Sequence, residues 1–189
     1  MIDLSKSKEV NLPEKITVNG KEYKVHTDFK WGIAFIKLCE SNKPKLTDFD
    51  SFYCDVYNIP VDRQAGINEL IKFYNPSEEL PNRDVFVGGS DYKPFDYVLD
   101  SSMIYAAFMQ TYHLDLLECK NLHWYKFLAL FRNLKDTRFN DVIGYRGFNP
   151  NDKSDYKKSM MKQRELWEIR EEPDEETQAA IDRFNEQFK

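Results

Sequence analysis

Three residues able to hold a soft metal ion, His113, Cys119 and His123, fall on one short stretch of this chain. A structural zinc site takes four Cys or His ligands, usually delivered as two close pairs. No pair here has that spacing and no fourth ligand follows, so packing or capping is the expected role of all three. His26 falls in a segment of strand character, where a solvent-facing or strand-pairing role is expected. Carboxylates are numerous, yet none forms a sequence-level pair set aside for acid–base work, although folding can bring distant acids together. The chain contains no Gly-x-Ser-x-Gly, His-Glu-x-x-His, EF-hand, Walker or deaminase pattern, and Gly88-Gly89 lacks the spacing of a phosphate cradle. The expectation is a noncatalytic protein with no cofactor and no resident metal.

A second cluster points to binding instead. Lys157, Lys158, Lys162 and Arg164 form a basic run that could touch phosphate, but acids interleave with it and five more follow at 171–176. That pattern is better explained by a solvated helix or internal ion pairs. Tyr156, Met160 and Trp167 lie near one face of the same helix. An apolar stripe on a charged helix suits a helix-in-groove partner or self-association, and equally suits packing back on the body. The net charge of −5 speaks against coating nucleic acid, which requires a surplus of Lys and Arg.

The elements that must position these groups are mostly helices. In "KITVNGKEYKVHT", Asn19-Gly20 is the preferred centre of a type I′ turn, with Ile16, Val18, Tyr23 and Val25 alternating around it, so a β-hairpin is predicted. A hairpin alone is marginal in water and must dock on something. Thr27-Asp28 is a predicted N-cap ahead of a helix with Phe29, Trp31, Ile33, Phe35, Ile36 and Leu38, ending before Pro44. A second helix is predicted after Thr47, burying Phe49, Phe52, Tyr53 and Val56. A third, over "VDRQAGINELIKFYNP", buries Ile67, Leu70, Ile71 and Tyr74, with Gly66 weakening its start. Residues 75–94 form the main irregular connection.

A central helix then carries Ile104, Tyr105, Phe108, Met109 and Tyr112, and Asp115 caps a short turn with Leu116 and Leu117. In "NLHWYKFLALFRNLKDTRF", residues 121–139, Trp124, Phe127, Leu128, Phe131 and Leu134 repeat at helical spacing and are expected to be core. Tyr125, Lys126, Arg132 and Arg146 are expected at the surface, and Asp115 and His123 are placed to hydrogen-bond the turn joining two helices. A short helix ends in a turn around Tyr145 and Arg146. Beyond Pro150 come a basic helix over 153–170, an acidic run around Pro173 and a last helix with Ala180, Ile181, Phe184 and Phe188.

With 14 Phe and 11 Tyr in 189 residues, the chain has ample apolar mass for a packed domain. Cys39, Cys54 and Cys119 are odd in number and lack a Cys-x-x-Cys pair, which fits reduced thiols in a cytosolic compartment. No stretch approaches the apolar length of a membrane span, and the first residues lack the apolar core of a signal peptide.

The stretch from Asp100 to Arg146 resembles a bacteriophage family found in tail gene modules of long-tailed phages and prophages of Gram-positive bacteria, the phage Gp15-like family. The resemblance rests on Ile104-Tyr105-Ala106 with Phe108, on Tyr112, on Leu114-Asp115-Leu116, on Leu122-His123-Trp124 with Lys126-Phe127, and on Tyr145-Arg146. The opening "LPEKITVNGKEYKVHTDFKW" is similar too. One departure is His113, where that family usually has Gly.

The resemblance implies a tail assembly chaperone that binds the tape measure protein and keeps it soluble while tail tube subunits assemble, in the cytoplasm of the bacterial host. It brings no catalytic residues. Further candidate partners are the major tail tube protein and a second copy of the chain; a membrane partner is not expected and nucleic acid is disfavoured. The alternative is a structural tail completion or connector component retained in the virion. The fold expected is mainly α: a compact helical domain over 1–150 with an N-terminal β-hairpin, and a charged C-terminal helical arm over 151–189. Candidate partner-binding residues are Tyr125, Lys126, Arg146, Tyr156, Met160 and Trp167; Asp115, His123, Trp124 and Phe127 form a structural motif.

Overall fold

The computed structural model describes residues 12–76 and 93–169. The last predicted helix, the acidic run, Gly88-Gly89 and most of the 75–94 connection lie outside the described residues. The fold is mainly α, with an N-terminal antiparallel hairpin, six α-helices and one 3-10 helix among the described residues. These residues group into two compact units, one holding 12–76 and 102–138, the other 93–101 and 139–169.

The first unit begins with β1 (Lys15–Val18) and β2 (Lys21–Lys24), paired so that Val18 faces Lys21 and Ile16 faces Tyr23. Asn19 and Gly20 both have positive φ, 50° and 80°, as a type I′ turn requires. Ile16, Val18, Tyr23 and Val25 are all buried, and β1 docks on α2, which supplies the support the hairpin lacks alone. The segment Phe52–Cys54 runs beside the end of β2. There the His26 N–H donates to the Phe52 carbonyl and the Cys54 N–H to the Lys24 carbonyl, both at 3.0 Å.

Helix α1 (Phe29–Glu40) starts at Asp28, whose carboxylate accepts the Lys30 N–H at 3.0 Å. The predicted helix after Thr47 is a 3-10 helix, Leu46–Phe52. Three residues per turn place Phe49 and Phe52 on one buried face. The element stops there because Tyr53 is extended, so Val56, expected in the core, is instead 54% exposed. Asp62 caps α2 (Arg63–Tyr74). Its buried stripe is Gly66, Ile67, Leu70, Phe73 and Tyr74. Phe73 takes the place expected for Ile71, which is largely exposed.

Helix α3 (Ser101–Tyr112) buries Ile104, Ala107 and Phe108, a narrower stripe than expected; Met109 is exposed, and Tyr105 and Tyr112 are partly so. Tyr112 instead spends its hydroxyl on the Leu130 carbonyl. Helix α4 (Trp124–Arg132) buries Trp124, Phe127, Leu128 and Phe131, with Leu134 just beyond it. Phe127 is the hub of this core: its ring lies 5.0 to 5.7 Å from those of Phe29, Phe108, Trp124 and Phe131. Each buried aromatic ring contributes roughly 1.5–3 kcal/mol through area alone. Phe35 organises a second cluster with Phe49, Phe52 and Tyr74.

The second unit holds α5 (Arg138–Arg146, from Phe139 onward) and α6 (Lys157–Trp167). Phe139 and Val142 are buried, and Phe95 meets Phe139 edge-on. Asp96 opens the turn before α3, accepting the Val98 and Leu99 N–H groups on one oxygen and Lys93 Nζ on the other.

Candidate functional site

The Leu122-His123-Trp124 motif is a clasp between two helix starts. Asp28, the N-cap of α1, forms an antiparallel bridge with His123, the N-cap of α4. The Phe29 N–H donates to the Leu122 carbonyl at 2.8 Å and the Trp124 N–H to the Thr27 carbonyl at 2.6 Å. Each helix thus uses the other's approach strand to satisfy amides that a helix start leaves open.

His123 serves this clasp with both ring nitrogens. Nδ1 accepts the Tyr125 N–H at 3.1 Å, so it carries no proton, and Nε2–H donates to the Pro13 carbonyl at 3.1 Å. Partial burial holds its pKa below the usual histidine value, and Lys126 adds to that; the Pro13 carbonyl and Glu14 oppose it. Next along the chain, Trp124 is fully buried, with Nε1–H on the Tyr74 carbonyl at 2.8 Å. Its six-membered ring covers Gly32 of α1 so closely that a β-carbon there would overlap it.

Asp115 ties the turn after α3. One oxygen accepts the Leu117 N–H at 2.8 Å and the Glu118 N–H at 3.3 Å, while the other accepts the Tyr105 hydroxyl at 3.2 Å. The Leu117 amide first, then the other donors, lower its pKa. Leu116 is buried in this turn and Leu117 is 75% exposed. His113, at the end of α3, has φ 50°, and its N–H closes the helix on the Met109 carbonyl at 3.1 Å. This is a left-handed C-cap, the conformation for which glycine is the usual residue. His26 stacks on Trp31 at 4.2 Å, and its carbonyl takes the Tyr74 hydroxyl. Among the described residues no group of three metal-ligating side chains comes together.

Arg146 corrects the expectation of a surface cation. It is buried in the second unit, where its guanidinium forms a bidentate pair with Asp100 at 2.7 and 2.9 Å. Nε donates to the Trp167 carbonyl at 2.6 Å and Nη1 also to the Pro94 carbonyl at 3.1 Å. The same Asp100 carboxylate accepts the Asp96 N–H. Sequence spacing gave no sign of this pair, since its members stand far apart in the chain and only a buried acid identifies the need for a buried base.

Other side chains face outward. Lys126 is exposed, while Tyr125 is half-buried against Phe73 at 5.4 Å, and burial raises its pKa. Tyr156 precedes α6 and is 76% exposed; Met160 and Trp167 are partly covered. Arg164 of α6 donates to the Phe148 carbonyl at 2.9 Å, so α6 is tied down at that point as well as at Trp167. The barest apolar side chains had no sequence signal of their own. Tyr57 and Val61 are 97% and 99% exposed, on the connection between the 3-10 helix and α2. Beside it lies a mixed-charge depression of about 350 Å³, lined by Lys15, Glu22, Lys24, Cys54, Asp55 and Asn58. Among the described residues no helix is long and apolar enough to cross a membrane.

Comparison with known proteins adds one relationship. No curated protein and no solved structure matches the chain. The family described as Bacteriophage Gp15 protein matches residues 9–169, which include the hairpin, the clasp and α6. Because that match spans most of the sequence, the chain belongs to the Bacteriophage Gp15 protein family.

Proposed function

We propose that this protein is a noncatalytic tail assembly chaperone that binds the phage tape measure protein and keeps it soluble in the host cytoplasm during tail tube assembly. Membership of a bacteriophage family supports the setting. The observation that carries the noncatalytic part is the occupation of the residues best suited to chemistry. Both nitrogens of His123 are committed to backbone partners, Asp115 to a turn, and Asp100 and Arg146 to each other. A reactive group needs a free lone pair or proton facing substrate, and these are spent on the fold.

Client binding draws support from the apolar side chains left in solvent, above all Tyr57 and Val61. A tape measure protein is a long helical chain whose apolar stripes aggregate until covered, and exposed aromatic and aliphatic side chains supply weak, reversible cover. Many copies along one client raise the avidity of each weak contact.

The test is co-expression with the tape measure protein of the same phage, one partner tagged. Solubility of the tape measure only in the presence of this chain, with co-elution of the two, is the expected result. A tape measure that is soluble alone, or insoluble together with this chain, refutes the reading. Mass spectrometry of purified virions then separates a chaperone, absent or trace, from a tail completion or connector component, present at stoichiometric level.

A further inference from the structure

Helices α5 and α6 supply each other's C-terminal ends with a cation. Arg146, the last residue of α5, donates from Nε to the carbonyl of Trp167, the last residue of α6, at 2.6 Å. In return Arg164 of α6 donates to the Phe148 carbonyl, just past the end of α5, at 2.9 Å. A helix leaves the carbonyls of its last turn without partners of its own and carries partial negative charge there, so both contacts fall where a cation is most useful. Asp100 grips the other side of the Arg146 guanidinium at 2.7 and 2.9 Å, which fixes where Nε points.

Little else holds α6. None of its residues is fully buried; Met160, Met161, Gln163, Arg164 and Trp167 are partly covered and the rest are exposed. Its own charges oppose the helix. Lys157 and Lys158 occupy the first turn, with no acid there and no side-chain cap at Tyr156, while Glu165 and Glu168 stand at the C-terminal end. Lys, Met, Gln, Arg, Glu and Leu are good helix formers, so the segment can be helical, but a lone helix of 11 residues is marginal in water. We propose that α6 is a conformational latch, helical only while docked on Arg146 and the Phe148 carbonyl, which opens and unfolds as one unit while α5 stays folded. No core side chain has to leave its place for this, and Arg146 keeps Asp100 and the Pro94 carbonyl when α6 lets go. Opening uncovers Met160 and Trp167, on the partly covered side of α6, so a partner that recognises this stripe binds the open state alone and draws the equilibrium toward it. This proposal is independent of the chaperone reading.

Hydrogen exchange of the full-length chain, read by mass spectrometry, tests it. Amides of 161–167 are expected to exchange together, at least about tenfold faster than those of 142–146 yet slower than an unstructured chain. Lys157→Glu with Lys158→Glu gives the first turn the acids it lacks and is expected to slow exchange in α6 about fivefold, leaving α5 unchanged. Arg164→Ala removes one of the two C-terminal contacts and is expected to speed it about fivefold. Exchange of α6 as slow as that of α5, or changing in step with α5 in the variants, would overturn the proposal, since α6 would then open only with its whole unit. A complete lack of protection in α6 would overturn it too, because the latch would never close. So would an exchange rate indifferent to both the charge reversal and Arg164→Ala.

Discussion

The six-membered ring of Trp124 lies over Gly32, in the space a β-carbon at that position would need. The contact joins α1 to α4 directly, and the indole N–H on the Tyr74 carbonyl adds the end of α2. Gly32→Ala must either push the indole off that carbonyl or part the two helices. Overpacking of this kind costs about 1–3 kcal/mol. Gly144 is the control: it lies within α5, and a β-carbon added there would meet nothing within 4 Å. At that position Gly144→Ala is expected to stabilise by about 0.5–1 kcal/mol through helix propensity. Urea denaturation of the two variants, read as opposite shifts in midpoint, checks both.

His113 caps α3 in a left-handed conformation, φ 50°, that a β-carbon disfavours. His113→Gly removes that strain while leaving the backbone bond to Met109 intact. A gain of about 1 kcal/mol is expected, less whatever entropy glycine adds to the unfolded chain. His113→Val, β-branched and poor at positive φ, should lose stability in the same thermal melt.

How much of this was legible in the sequence depends on the range of the interaction. The stripe Trp124, Phe127, Leu128, Phe131 and Leu134 was readable because a helix period fixes which side chains share a face. The hairpin was readable because Asn-Gly specifies its own turn. Val56 was not, since a 3-10 helix and an α-helix show the same apolar spacing over one turn, and the extended Tyr53 ends the element early. Arg146 looked like a surface cation because its partner Asp100 is distant in sequence and nothing local marks either as buried. The Leu-His-Trp motif stood out as a pattern, but its mate, Thr27-Asp28-Phe29, showed only as a helix cap.

The clasp carries a pH dependence whose sign follows from His123. Its folded pKa lies below 6.5, so the unfolded chain takes up a proton first as pH falls. Stability from this group is complete above about pH 6.5 and is lost as pH falls toward the lower folded pKa. Protonation at Nδ1 removes the acceptor of the Tyr125 N–H and puts a positive charge at a helix N-terminus, both unfavourable to α4. His26, whose pKa is also lowered by burial, acts in the same direction. His123→Asn keeps a capping oxygen without titrating. The wild-type denaturation midpoint should drop between about pH 7 and about pH 5.5, and that of the variant should drop less.

The Asp100–Arg146 pair is expected to behave as a unit. Breaking a buried ion pair from one side leaves the other charge stranded and costs about 3–5 kcal/mol, whereas removing both charges with apolar residues of similar volume is often near neutral. Arg146→Met and Asp100→Leu should each destabilise strongly. The double variant should recover part of that loss, though not all, because Arg146 also holds the Trp167 and Pro94 carbonyls. A double-mutant cycle in urea measures the coupling. Strict additivity of the two single losses would show that the pair contributes nothing as a pair.

Tyr57 and Val61 put the client-binding proposal to its sharpest mutational test. Side chains 97% and 99% exposed have no packing to lose, so Tyr57→Ser and Val61→Ser should leave stability within about 0.5 kcal/mol of wild type. If these residues cover a client's apolar stripe, the double variant should retain the melt of the parent yet solubilise less tape measure protein on co-expression. The loss should exceed that from Lys126→Ser, because an exposed charge at a rim adds little affinity. Full solubilisation by the Tyr57→Ser/Val61→Ser protein would remove this connection from the binding surface while leaving α6 and Tyr125 as places to look. A lowered melting temperature would show instead that the connection is structural, held by contacts that its exposure does not reveal.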